Sequence, residues 1–293
     1  MHAVATHVDD PIEGDLGMLR YLPGLLVLWH VAVGGQIPSE QASCPDGQTI
    51  DGLRRAGDAK ACLVLHPYTP ARAGEAAVLV VYLHGDGGGR ISVAPGQGAA
   101  QRLADATGST TLLLQRPGYR SDLGTSDGFT SAQDDDYTGG NTELIARALD
   151  ALRASHPGRK LLLVGHSGGA AMSALVASRY PGAADAYLLA GCPCDVPTWR
   201  QWRNVSAGRK GTWGRSLSPL DEVAKVPRET LIRLVVGDSD DNTLSKFSQT
   251  YVEALNRNGN PASVEIAPGA THDTILRSRA FLDAARRMVL ALR

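Results

Sequence analysis

Net charge is almost absent from this sequence. Its 293 residues carry 29 Lys and Arg against 30 Asp and Glu, so no overall field draws the molecule to nucleic acid or to an anionic membrane. A stable membrane span is missing too. The apolar stretch from Leu22 to Val33 falls short of the ~20 residues that a spanning helix needs. Cysteine is scarce, with four in the chain, and no ligand spacing around them points to zinc. There is no EF-hand spacing near Asp134-Asp135-Asp136, so calcium is not favoured and a solvated acidic face is expected there. No internal repeat is present. Polyanionic and membrane-spanning roles are excluded, which leaves a small-molecule or short acyl substrate as the expected partner.

What remains fits one large α/β domain. The 43% hydrophobic content can fill a full core, and we expect a single domain over residues 44–293 preceded by an N-terminal segment, 1–43. Met18-Leu19-Arg20-Tyr21, the apolar run and Gly34-Gly35 follow the order of a secretory signal peptide. Asp9, Asp10, Glu13 and Asp15 do not suit a basic n-region, so translation is expected to start at Met18, with a secreted or periplasmic product. In that setting Cys44 and Cys62 are the natural local disulfide. Cys192-Pro193-Cys194 leaves redox chemistry, metal binding and a tight disulfide open, with a structural role preferred.

The informative stretch is Lys160 to Leu175. An apolar run, Leu161 to Val164, stops at Gly165-His166-Ser167-Gly168-Gly169, and small helix-forming residues follow. A serine on a strained strand-to-helix turn points outward only if its neighbours are small, and Gly165 and Gly169 meet that need. The new helix's N-terminus would also present the Gly168 N–H, with its partial positive charge, to a developing oxyanion.

Elsewhere the periodicity alternates between strands and helices. Ala61 to His66 reads as a strand ended by Pro67 and Pro70, after a loop from Pro45 to Ala59. Ala77 to Leu83 is apolar throughout, as in a strand buried on both faces of a parallel sheet. It leads into His84-Gly85-Asp86-Gly87-Gly88-Gly89. A dinucleotide fingerprint from Gly85 would need glycine where Arg90 stands, and no Lys-Ser or Lys-Thr pair completes a P-loop. The reading left is a loop giving a second oxyanion N–H, from Asp86 or Gly87.

A helix over Ala99 to Thr107, a strand over Thr110 to Gln115 and a long loop from Arg116 to Asn141 come next. An amphipathic helix starts at Asn141 and ends near Gly158, before the opening strand and turn. After a strand at Ala186 to Ala190, residues 192–226 hold Trp199, Trp202 and Trp213 together with Arg200, Arg203, Arg209, Lys210 and Arg215. This is a lid-like insertion, either packed onto the body by its tryptophans or holding an anionic part of a substrate. Strands at Leu231 to Val236 and Ala262 to Ile266 follow, with helices at Ser245 to Asn256 and Ile275 to Leu292.

Serine, then acid, then histidine, each just after a strand, is the order an elbow hydrolase requires. On these motifs the chain resembles the α/β-hydrolase superfamily from Ala61 to its end. The resemblance implies a mostly parallel central sheet with helices on both faces and a short lid. It places the nucleophile at Ser167, the base at His272 in a Gly-x-x-His pattern, and the acid at Asp240 in a Gly-x-x-Asp pattern, with Asp238 and Asp241 as rivals. Oxyanion donors fall on Gly168 and on Asp86 or Gly87, and Arg116-Pro117-Gly118-Tyr119 looks like a recurrent turn of the superfamily. Tyr119, Trp199, Arg200 and Trp202 are the candidate substrate contacts.

The expected reaction is hydrolysis of an ester through an acyl-enzyme, and it requires no metal or organic cofactor. A prolyl-oligopeptidase-like peptidase uses the same constellation, although the chain has no room for that group's propeller. Lactone or thioester cleavage by a dienelactone-hydrolase relative would ordinarily use cysteine at Ser167. A catalytically silent binding module on this fold is the alternative of another class.

Overall fold

The computed structural model describes Cys44 and residues 49–50, 53–72, 77–91, 98–131, 133–208 and 213–293. The expected signal sequence, Arg209 and Lys210 lie outside the described residues.

Continuous apolar runs become the centre of one sheet. β4 (Val78–Leu83), β8 (Lys160–His166), β9 (Ala186–Ala190), β10 (Leu231–Gly237) and β11 (Ser263–Ala267) run parallel in that order, and β5 (Thr111–Leu114) joins β4 in parallel on the other side. Register is set residue by residue: Leu83 pairs with Gly165, and His166 with Ala190. These pairings bring the C-terminal ends of β4, β8 and β9 level, and the loops that leave those ends meet over the sheet. In an open α/β sheet such an edge is where ligands bind.

Three strands extend the sheet antiparallel: β3 (Ala61–Tyr68) on β5, then β2 (Leu53–Asp58), then β1 (Thr49–Ile50). The sequence reading made residues 49–58 a loop and ended the first strand at Pro67. The structure corrects both. Pro67 stays in β3, opposite Leu112, because pairing with β2 has already stopped at Leu65 and no ladder bond on that side requires its missing N–H.

Alternation within each strand feeds two helical layers. Leu79, Val81, Leu161 and Leu163 face one layer with Ile145 and Leu149 of α2 (Gly139–Ser155), Leu175 of α3 (Gly168–Arg179), and Phe247 and Tyr251 of α5 (Ser245–Asn258). Val78, Val80, Leu162 and Val164 face the other, with Leu103 of α1 (Ala99–Thr107) and Phe281 and Met288 of α6 (Arg279–Ala291). The helix read from Ile275 to Leu292 is divided. A single 3-10 turn, Ile275–Arg277, ends at Ser278, whose side chain accepts from the Phe281 N–H and caps α6.

Within the loop after β5, β6 (Arg120–Ser121) and β7 (Gly124–Thr125) pair antiparallel as a separate ribbon, and the insertion after β9 contains α4 (Val196–Ser206) and a 3-10 helix at Pro219–Lys225. Cys192–Cys194 and Cys44–Cys62 are both disulfide-bonded. No described helix is long and apolar enough to cross a membrane.

Candidate active site

Ser167 sits between β8 and α3 with φ 52° and ψ −122°. Among the described residues only Asp134 is another non-glycine with positive φ. Such a backbone costs of order 1–3 kcal/mol unless its surroundings impose it. Here they do: a Cβ on Gly165 would strike the Gly169 carbonyl and Ala170, and one on Gly169 would strike the carbonyls of Leu83 and His84. The turn is therefore pressed against both its own helix and the end of β4.

Three side chains from three loops converge at this point. The Ser167 hydroxyl lies 2.9 Å from His272 Nε2, and His272 Nδ1 lies 2.9 Å from Asp240 Oδ2. All three are buried. Asp240 closes an Asx-type turn after β10, its Oδ1 accepting from the N–H groups of Asn242 and Thr243 at 2.9 and 2.7 Å. Thr243 Oγ1 donates to Oδ2 at 2.8 Å and lies 3.1 Å from His272 Nδ1. Burial alone would raise the Asp240 pKa, but bonding and charge from His272, then the Thr243 contacts, bring it below the ordinary carboxylate value. An ionised Asp240 fixes the imidazole proton on Nδ1 and leaves Nε2 to accept from the serine. The rivals lie elsewhere. Asp238 is exposed and accepts from Gly269 N–H at 2.7 Å, and Asp241 is exposed.

The glycine loop after β4 lies beside the serine. A Cβ on Gly85 would come within 3.1 Å of Ser167 Cβ. His84 is buried, and its pKa falls to about 3, chiefly through desolvation and then through the charge of Arg116. Its Nε2 accepts from Arg116 N–H at 3.0 Å, so Nδ1 carries the proton and donates to the Gly85 carbonyl at 2.8 Å. Across a planar trans peptide the Asp86 N–H points away from that carbonyl, and no described group accepts from it. The Gly87 N–H instead donates to Tyr119 Oη at 3.3 Å. Of the two expected donors, the geometry leaves Asp86 available and removes Gly87.

A buried charge network stands behind this loop. Arg116, fully enclosed, reaches Asp86 Oδ1 at 2.8 Å with Nη1 and Asp136 Oδ1 at 2.6 Å with Nη2. Tyr137 Oη donates to Asp86 Oδ2 at 2.6 Å. Burial pushes the Asp136 pKa up to about 6, although the Arg116 charge opposes it. The three consecutive aspartates are thus not the solvated face expected from the sequence: Asp135 and Asp136 are buried. Asp134 accepts from Gly88 N–H and Tyr119 Oη at 2.9 and 3.0 Å, Asp135 from the N–H groups of Arg215 and Ser216, and Asp136 from Arg116. Asp134 and Asp135 tie the long loop to the glycine loop and to residues 215–216, and Asp136 ties it back to its own start.

Ser167 and His272 open into a cavity of about 660 Å³, which Asp86, Gly87, Trp199 and Arg200 also line. Two of the candidate substrate contacts need correction. Tyr119 is fully buried behind the glycine loop and is not part of the cavity wall. Trp202 packs against Phe247 of α5, the rings tilted with centroids 6.1 Å apart, and is not part of the cavity wall. The reason is helical phase: at about 100° per residue, Trp199, Arg200 and Arg203 share one arc of α4, and Trp202 falls about 60° to the other side of Trp199. Trp199 is anchored by its own Nε1–H donating to the Asn242 carbonyl at 2.8 Å. Desolvation lowers the Arg200 pKa to about 10.

No known family profile matches the sequence, and neither does any curated protein. Solved structures do match in fold. Acylaminoacyl peptidase of Pyrococcus horikoshii aligns over 82% of this chain with TM-score 0.59 at 15% identity. This chain spans 40% of that peptidase's length. Proline iminopeptidase of Mycobacterium smegmatis aligns over 82% of this chain and 98% of its own, TM-score 0.58 at 17% identity. An esterase of Pyrococcus furiosus aligns over 82% and 88%, TM-score 0.59 at 14% identity.

Proposed function

We propose that this chain, which has the α/β-hydrolase fold, is a serine hydrolase that cleaves an ester of a small or medium substrate through an acyl-enzyme. The observation that carries this reading is the unbroken relay from Asp240 through His272 to Ser167, two contacts of 2.9 Å, at the floor of a cavity. In the acylation step His272 Nε2 takes the serine proton as Oγ bonds to the ester carbonyl carbon. The oxyanion forms between the N–H groups of Gly168 and Asp86, and the proton then passes from His272 to the departing alkoxide. A water activated by the same imidazole cleaves the acyl-enzyme and restores Ser167. Asp240 stays ionised and holds the imidazole, with Thr243 fixing the carboxylate in turn.

The chemistry uses only these side chains and backbone N–H groups. We further propose an exported protein, secreted or periplasmic. Two disulfides support an oxidising compartment.

The test is a panel of 4-nitrophenyl esters of rising acyl length beside peptide 4-nitroanilides, with Ser167→Ala as the blank. Turnover of the esters that disappears in the variant is expected. Preference for the anilides would make the protein a peptidase, and turnover by the variant equal to wild type would remove Ser167 from the chemistry.

A further inference from the structure

The cavity that opens on Ser167 passes over the edge of the sheet and down both of its faces. Trp199 packs into the core that α2, α3 and α5 form and lines one limb together with Arg200, Arg203 and Asn242. The opposite limb is lined by Tyr82, Ala100 and Leu113, which belong to the core under α1 and α6, and by Ile91, Ala99 and Leu276, which pack against that core. Arg90, which is exposed, and Arg102 also border it; the rest of this wall is apolar. Room for a ligand arises because α1 opens with Gly98-Ala99-Ala100, three residues that fill little space beside the ring of Tyr82.

Tyr82 lies at the depth of this limb. It pairs with Val164, three residues before Ser167 on the neighbouring strand, so it stands about 10 Å below the nucleophile at the rise of a β-strand. Its hydroxyl has no hydrogen-bond partner among the described residues. The hydroxyls of Tyr187 and Tyr251 are unpartnered too, but they are sealed in the core. That of Tyr82, in a residue 6% exposed, meets the cavity. Burial holds the phenol protonated, against the charge of Arg102. A buried phenol ordinarily finds a partner, and here the acceptor has to come from what fills the limb.

We propose that this limb is the subsite for an aryl group of the ester, carried on a two-carbon spacer, with Tyr82 donating a hydrogen bond to an oxygen at the far end of the ring. This rests on the serine-hydrolase reading above. A ring matches the apolar walls and can lie against the Tyr82 face, the spacer covers the distance from Ser167, and the para oxygen completes the phenol. The substrate class is then an ester of a para-oxygenated arylpropanoic acid or of the corresponding arylethanol.

Two pairs of esters separate the acyl part from the alcohol part. The 4-nitrophenyl ester of 3-(4-methoxyphenyl)propanoic acid is compared with its 4-ethylphenyl analogue, similar in size and lacking the oxygen. The butyrate of 2-(4-methoxyphenyl)ethanol is compared with its own 4-ethylphenyl analogue. In one pair wild type is expected to prefer the methoxy compound in kcat/KM, and Tyr82→Phe lowers that preference about 5-fold, mainly through KM. Each preference is a ratio within one protein, so a general loss of folded enzyme cancels. Ala99→Leu, which fills the limb, lowers kcat/KM for the aryl esters of that pair about 10-fold relative to 4-nitrophenyl acetate. Binding of 4-(4-methoxyphenyl)butan-2-one and its 4-ethylphenyl analogue, measured by calorimetry, gives a readout independent of turnover. No methoxy preference in either pair for wild type, a preference unchanged by Tyr82→Phe, or aryl selectivity unmoved by Ala99→Leu overturns the proposal. If 4-nitrophenyl acetate is still cleaved in a Ser167-dependent manner, that failure belongs to the aryl subsite alone. If no ester is cleaved but the methoxy ketone binds and Tyr82→Phe weakens it, the hydrolase reading fails and the aryl subsite stands.

Discussion

Gly168 carries more constraint than its place in a short motif implies. A Cβ there would overlap the Asp86 carboxylate and crowd Tyr137 Oη and Arg116 Nη1. Its N–H is one of the two proposed oxyanion donors. Gly168→Ala should therefore displace Asp86 and the loop that supplies the second donor, lowering kcat for a neutral ester about 100-fold or more while KM changes little. Steady-state kinetics with a thermal melt as a folding control checks this, and a variant with near-normal kcat would mean that neither N–H is used. The serine, histidine and glycines of this site were legible in the sequence because their constraint is local: small residues flank a turn, and strand ends precede it. Thr243 was not singled out, although an aspartate followed three positions later by threonine is a sequence signal for the turn that it closes. Asp240 was separable from Asp238 and Asp241 only through the resemblance, since all three stand in one polar loop.

At the scale of elements, the long loop from Arg116 to Thr138 owes its order to ion pairing more than to secondary structure. Arg116 bridges Asp86 and Asp136, 30 and 20 residues away, and this separation hides the pairing from any local pattern. Arg116→Gln leaves the buried Asp136 and the partly buried Asp86 without their cation and should destabilise the fold by about 3 kcal/mol. Adding Asp136→Asn removes one of those charges and should recover part of the loss, read as a non-additive cycle in urea unfolding. Strict additivity would mean that the pair does not interact. The same reasoning explains the acidic triplet, which looks solvated in sequence and is bound in three directions in the structure. β2 was missed for a related reason: Leu53–Asp58 has too many polar residues for an alternating pattern, and its pairing with β3 sets it in place. The phase of α4 was available in principle from helical spacing, and it separates Arg200 from Trp202.

For the whole molecule, the parallel order β5, β4, β8, β9, β10, β11 assembles residues 84, 167, 240 and 272 at one edge. The sequence showed these six strands and the order of the site residues; the pairing of neighbours comes from the sheet. Burial at that edge has a cost that depends on pH. His84 and His166 are held neutral, their pKa values pushed down from 6.5 to about 3 and about 4, in both cases mainly by desolvation. Above pH 6.5 both the folded and the unfolded chain are neutral at these positions and they contribute nothing. As pH falls from there toward 4, only the unfolded chain takes up the protons, so stability falls. The expected loss is on the order of 1–3 kcal/mol per pH unit, seen as a falling urea midpoint between pH 6.5 and 4. His166→Gln should make that slope shallower by about one proton, and an unchanged slope would show that His166 titrates alike in both states.

Everything proposed for this site turns on Ser167 being an activated nucleophile in the folded protein. Intact mass spectrometry after treatment with a fluorophosphonate tests it most directly. One adduct per chain is expected, mapped to the peptide containing Ser167, absent from Ser167→Ala, and formed far more slowly in His272→Ala. No adduct on the folded wild type, or an adduct that persists in Ser167→Ala, would contradict it.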